Sequence, residues 1–166
     1  MVSDETLILE FKRGSRDAFD ELFARYREPI YGFFRRRLPD RQRAEDLTQE
    51  TFLAVIRNTS RYEPLALVRT YLYAIALKLV AAERRKLGRE SSPAEPAART
   101  ANESGMWVRQ ALERLDPRER EILMLREYEQ LSYAEIAALL RVPLNTVRTR
   151  LFRARLSLKE HLHATR

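Results

Sequence analysis

The sequence has no cysteine and only two histidines, His161 and His163, both near its end. Disulfides and thiolate metal sites are thereby excluded, and little remains for a zinc centre or for histidine base catalysis. There is no phosphate-cradling glycine loop and no serine elbow, so no cofactor is expected. No apolar run is long enough to span a bilayer. No basic start, apolar middle and small-residue cleavage site mark a signal peptide, which makes the cytoplasm the expected location, without membrane insertion. Charge, by contrast, is plentiful. Hydrophobic residues are 45% and charged residues 33% of a 166-residue chain, which describes a folded protein with one sizeable core or two small ones. The 31 Lys and Arg against 24 Asp and Glu leave a formal +7, a balance that suits a polyanionic partner.

From Thr6 to Ile56 the apolar residues recur at three and four and never alternate at two for long, so the first half reads as helical, and with the helices of the second half the expected fold class is all-α. A short helix is expected from Asp4 to Lys12, broken by Gly14-Ser15, with Ser15 capping a long second helix to Arg37. Pro29 lies inside that second pattern and predicts a kink or a division. After the stop at Pro39-Asp40, a third helix from Arg41 to Arg57 carries Ala44, Leu47, Thr48, Thr51, Phe52, Val55 and Ile56 as its buried stripe. A polar turn through Asn58, Thr59, Ser60 and Pro64 leads to a fourth helix, roughly Leu67 to Lys86. Residues 88–104 contain two prolines and no large aliphatic or aromatic residue, so they read as a flexible linker between two small helical domains, 1–87 and 105–166.

In the second domain Asp116-Pro117 reads as a cap followed by proline at the first helical position. Ser132 and Glu135 form a capping-box pattern, and Arg141-Val142-Pro143 separates the helix they open from a last one starting near Leu144. In that last helix Leu144, Val147, Leu151, Ala154 and Leu158 make one apolar stripe, while Asn145, Thr146, Arg148, Thr149, Arg150, Arg153 and Arg155 fall largely elsewhere. From Arg141 onward there are seven basic residues (Arg141, Arg148, Arg150, Arg153, Arg155, Lys159, Arg166) against the single acid Glu160, so most of the net charge sits here. Two short helices, a three-residue turn and an Asn/Thr/Arg entry fit a helix-turn-helix whose second member enters the major groove. Arg148 and Arg150 suit guanine edges or phosphates, Asn145 suits adenine, and Thr146 and Thr149 suit phosphate or a thymine methyl. Arginines on a terminal helix can also merely solvate its outer face; the capped helix and short turn before it favour DNA.

The first domain has basic ends, Arg35-Arg36-Arg37 and Arg84-Arg85-Lys86, with Tyr62, Tyr71 and Tyr73 near the start of the fourth helix. Aromatics beside cations can receive unstacked bases, although tyrosines at helical spacing are more often packing residues and terminal cations also offset a helix dipole. The acids Glu45, Asp46 and Glu50 invite a metal-dependent reading, but no third ligand accompanies them, and a docking surface for a basic partner is simpler.

Jointly, the two halves resemble a bacterial RNA polymerase sigma factor of the extracytoplasmic-function (ECF) class. AEDLTQETFLAVIR, from Ala44 to Arg57, is similar to the segment that docks on the polymerase clamp. RTYLYAIALKLV, from Arg69 to Val80, is similar to the promoter-melting helix, and Leu112 to Leu158 resembles the second DNA-binding domain. The resemblance implies core RNA polymerase and promoter DNA as partners, with an anti-sigma factor as a further one. It implies Asp46, Gln49 and Glu50 at the polymerase, Asn58 to Pro64 with Tyr71 and Tyr73 against the separated minus-10 strand, and Arg148 with its neighbours on the minus-35 element. Tyr71 stands where the family often has tryptophan, Ala74 and Lys78 where it often has arginine and later asparagine, Ala82 where an acid is usual, and Asn145 where glycine is frequent. Tyr71 keeps a stacking ring and Lys78 a phosphate contact, without an asparagine's paired donor and acceptor. On this reading the chain performs no covalent chemistry; polymerase supplies the catalysis. The rival reading is a stand-alone helix-turn-helix transcription regulator that needs no polymerase.

Overall fold

The computed structural model describes residues 1–89 and 103–164, and these contain eight α-helices and no strand. The chain divides into two compact units, Met1–Ala97 and Ala98–Arg166. No helix among the described residues is long and apolar enough to cross a membrane. The linker expected over 88–104 lies outside the described residues except at its edges. There the fourth helix runs on through Gly88 to Arg89, and the fifth is already helical at Glu103.

In the first unit α1 (Asp4–Lys12), α2 (Arg16–Arg37), α3 (Arg41–Asn58) and α4 (Val68–Arg89) enclose one core, with a 3-10 turn at Thr59–Arg61. The boundaries follow local chemistry. Gly14 sits at φ +105°, a conformation that L side chains rarely adopt, and so lets the chain reverse between α1 and α2. Ser15 and Asp40 then cap α2 and α3, accepting from the backbone N–H of Ala18 at 3.3 Å and of Gln42 at 2.8 Å. Pro29 does not divide α2. It is exposed, so the carbonyl that its missing N–H would have served can turn to water.

Ile8, Ile30, Phe33, Phe34, Val55, Val68 and Val80 fill the centre, and Phe11, Phe19, Phe23 and Phe52 form a second ring cluster. One expectation about packing fails here. Ile56 is not in the buried stripe of α3 but exposed, and Leu53 beside it is exposed as well, so that face is left uncovered among the described residues. Of the two readings of the basic end of α2, Arg37 takes the one that serves the helix terminus, and it is buried. Its guanidinium lies 3.7 Å from the centroid of the Phe33 ring and donates to the Phe33 carbonyl at 3.1 Å, serving the end of its own helix.

In the second unit α5 (Glu103–Glu113), α6 (Pro117–Glu127) and α7 (Tyr133–Leu140) all pack against α8 (Leu144–Ala164). Ile122, Leu125, Leu131, Ile136, Val147 and Leu151 are its core. Asp116 caps α6 through the Arg118 N–H at 2.9 Å. Both halves of the capping box at α7 are made, Glu135 N–H to Ser132 Oγ at 3.1 Å and Ser132 N–H to Glu135 Oε1 at 3.3 Å.

Candidate nucleic-acid and polymerase interfaces

The turn before α8 is built on a left-handed residue. Arg141, at φ 55°, ends α7 with its N–H on the Ala137 carbonyl, and Val142 N–H reaches the same carbonyl at 3.1 Å. Pro143 then offers only its carbonyl, to Thr146 N–H at 3.0 Å and Val147 N–H at 3.3 Å, which starts α8. The entry of that helix is thus fixed by backbone bonding, and its side chains remain available.

Val147, Leu151 and Ala154 face inward and Leu158 is half-buried, but Leu144 is 38% exposed and is not a core residue. It stands at the first position of the helix, before the helix reaches its neighbours. Asn145, Arg148, Thr149 and Arg153 are exposed, while Thr146 and Arg150 sit half-buried on the flank. Arg148 Nη1 donates to Asn145 Oδ1 at 3.4 Å and Thr149 Oγ1 to the Asn145 carbonyl at 2.9 Å, so these three side chains share one surface. Arg155, two turns beyond Arg148, is engaged within the unit. It donates to Tyr133 Oη at 3.3 Å and to Glu127 Oε1 at 3.1 Å, contacts that raise its pKa, and so ties α8 to α7 and α6.

Sequence reasoning missed Phe152. It is 67% exposed, one turn beyond Arg148 and Thr149, with Leu156 exposed four residues further on. The signal was present: both residues fall off the apolar stripe of their own helix.

In the first unit Tyr71 is half-buried and its ring meets Tyr62 edge-on, with centroids 5.2 Å apart. Burial pushes the hydroxyls of both tyrosines above their usual pKa, and the nearby Glu5 adds to the effect on Tyr62. Lys78 is exposed two turns along α4 from Tyr71. Tyr73 is not available to bases: it is 3% exposed and packs on Phe33. Tyr62 is likewise buried, and its hydroxyl has no hydrogen-bond partner among the described residues.

On α3, Gln49 is exposed and Asp46 and Glu50 are half-buried. Asp46 accepts from Gln42 Nε2 at 3.0 Å and Arg43 Nη1 at 3.3 Å; Glu50 pairs with Arg57 at 3.3 Å. Arg43 is mainly committed to α4, with Nε and Nη2 both 2.8 Å from the carboxylate of buried Glu83. That fork holds the Glu83 carboxyl below its usual pKa against the opposing effect of burial. Among the described residues no three acids or histidines converge on a metal site.

Residues 22–90 match the family model for Sigma-70 region 2, and residues 105–158 match that for Sigma-70, region 4. The RNA polymerase sigma-H factor of Pseudomonas aeruginosa is 31% identical over 92% of this chain and 90% of its own length. The ECF RNA polymerase sigma factor SigW of Bacillus subtilis is 28% identical over 93% of this chain and 94% of its own. Among solved structures, CnrH in complex with the cytosolic domain of CnrY superposes with a TM-score of 0.76 at 26% identity, over 97% of both chains. A helix-turn-helix unit with an exposed Asn/Arg/Thr surface, a second helical unit and these full-length likenesses agree, and the chain belongs to the sigma-70 family of RNA polymerase sigma factors, in its ECF class.

Proposed function

We propose that this sigma factor divides promoter recognition between its units, α8 reading the minus-35 element and the start of α4 holding the separated minus-10 strand. The observation that carries the reading is the shared surface of Asn145, Arg148 and Thr149 on α8, presented by a turn fixed through its backbone. Asn145 and Arg148 have the donor and acceptor sets that distinguish base pairs in the major groove, and Thr146, Thr149, Arg150 and Arg153 serve phosphate or thymine. Phe152 extends the same surface with an apolar face suited to a thymine methyl. In the first unit Tyr71 offers a partly open ring for stacking and Lys78 a cation for the backbone.

Asp46, Gln49 and Glu50 supply the contact with core polymerase, where two half-buried carboxylates suit a basic surface. The acids are part of a protein interface and not a metal site, and the chain performs no covalent step. An anti-sigma protein is a further partner, supported by the likeness to CnrH, a chain solved with a protein bound to it.

The test is reconstitution of the purified chain with core RNA polymerase, reading complex formation and transcription from a library of duplex promoters. Capture with sequence-selective initiation is the expected result. Specific duplex binding without polymerase capture would replace it with the stand-alone regulator.

A further inference from the structure

We propose that α1 is a strap that positions the strand-capturing loop, with Glu5 and Lys12 as the positioning residues at its two ends. The inference rests on the reading of that loop and the start of α4 as the single-strand contact. Residues 63–67 are five exposed positions in a row, Leu65 reaching 86%, between buried Tyr62 and Val68. The local backbone bonds are short in range: Tyr62 N–H to the Thr59 carbonyl at 3.1 Å, Leu65 N–H to Glu63 at 2.8 Å and Tyr71 N–H to Leu67 at 3.0 Å. A segment held in this way alone keeps much of its conformational freedom.

Both ends are also fastened from a helix far away in sequence. Lys12 Nζ donates to the Tyr62 carbonyl at 3.0 Å, and the Val68 N–H donates to Glu5 Oε1 at 3.2 Å. Val68 is the first residue of α4, so its amide is one that a helix leaves unbonded, and a carboxylate there also complements the helix dipole. Glu5 and Lys12 lie two turns apart on one face of α1, roughly 10 Å along its axis. The two fastenings therefore set the distance between the ends of the loop.

α1 is itself fixed without help from the loop. Leu7 and Ile8 are buried, Ser3 caps the helix, and Asp4 accepts from Arg25 Nη1 at 2.8 Å and from the Tyr26 hydroxyl, both on α2. The strap is thus a rigid bar from which the loop hangs at two points. It also lies outside the residues that match the region 2 model, which begin at 22. Its mechanical effect is preorganisation: a loop whose ends are already placed loses less entropy when it grips a strand.

The experiment uses holoenzyme assembled from the full chain and core polymerase, on a promoter that it transcribes. The probe is a fluorescent single-stranded oligonucleotide of the non-template minus-10 region, read beside polymerase affinity and permanganate reactivity of unpaired thymines on the duplex. Glu5→Ala with Lys12→Met weakens oligonucleotide binding about tenfold and lowers permanganate reactivity, with polymerase affinity unchanged. Glu5→Gln with Lys12→Arg, which keep an acceptor and a donor, stay within about twofold of the parent. Tyr71→Ala tests the underlying reading. If Tyr71→Ala loses binding while the strap variant keeps it, the strap is overturned and the loop reading stands. If Tyr71→Ala loses nothing, the loop reading falls. If polymerase affinity falls in parallel with oligonucleotide binding, Glu5 and Lys12 act on folding alone and the strap is overturned.

Discussion

The candidate DNA surfaces of the two units are built in different ways. In the second unit the surface is one face of one helix, so spacing along α8 decides which side chains are presented together. In the first unit it is assembled across the chain, from Lys12 to Tyr62 and from Glu5 to Val68, and the fork from Arg43 to Glu83 ties the same unit together elsewhere. Its aromatics are sorted by packing: Tyr73 goes to the core beside Phe33, while Tyr71 keeps part of its ring outside. A helix face tolerates single substitutions as local losses, whereas an assembled surface fails when a distant fastening is removed.

The largest expected effect breaks the first unit at such a fastening. Arg43→Met strands the buried carboxylate of Glu83 and costs about 3 kcal/mol in the stability of that unit, leaving the second unit's unfolding transition in place. Thermal unfolding of the full chain checks this. In the parent the Glu83 pKa is lowered on folding, so its stabilising contribution is present above the ordinary carboxylate range and is lost as pH falls from there through the lowered folded-state pKa. In the variant burial becomes the leading influence and, with Asp46, outweighs the opposing Lys86, so the Glu83 pKa rises and the deficit is greatest near neutrality and narrows in acid. A deficit independent of pH would assign the loss to packing.

Next in size is Arg148→Ala, which removes about 1 to 3 kcal/mol of binding at particular base pairs of the minus-35 duplex if the contact is bidentate to a base. Binding to a panel of single-site duplex variants reads it directly: a uniform loss across the panel would make Arg148 a phosphate contact. Smaller again is the effect of Asp46→Asn with Glu50→Gln. It weakens association with core polymerase about tenfold and leaves helicity intact, as checked by titration and circular dichroism. Unchanged polymerase affinity would remove these residues from the interface.

The comparison also explains which features were legible in the sequence. Ser15, Asp116-Pro117 and Ser132 with Glu135 act over four residues or fewer, and each caps the helix expected of it. The grouping of Asn145, Arg148 and Thr149 depends only on helical periodicity. Leu144 and Ile56 were misjudged for a shared reason: apolar periodicity identifies a face but not whether another helix lies against it. The Arg43–Glu83 fork and the two fastenings of α1 span 40 to 63 residues, and no local pattern encodes them. Charge alone likewise could not separate Arg37, folded back on its own helix, from the basic residues left outside.

Arg155 gives the smallest and most discriminating effect. By composition it belongs to the basic run of α8, and it lies two turns beyond Arg148 on the same stripe of the helix, yet its guanidinium is engaged by Tyr133 and Glu127. The pair with Glu127 is surface-exposed on both sides, so Arg155→Ala costs the second unit no more than about 1 kcal/mol. The informative readout is salt dependence. Each phosphate contact contributes about 0.9 to the slope of log affinity against log salt, so Arg153→Ala lowers that slope by about one and Arg155→Ala leaves it unchanged. Anisotropy of a labelled duplex across a potassium chloride series measures both. Equal slope changes would mean that Arg155 leaves its partners on the DNA, and α8 would then present its arginines as a continuous belt around the helix.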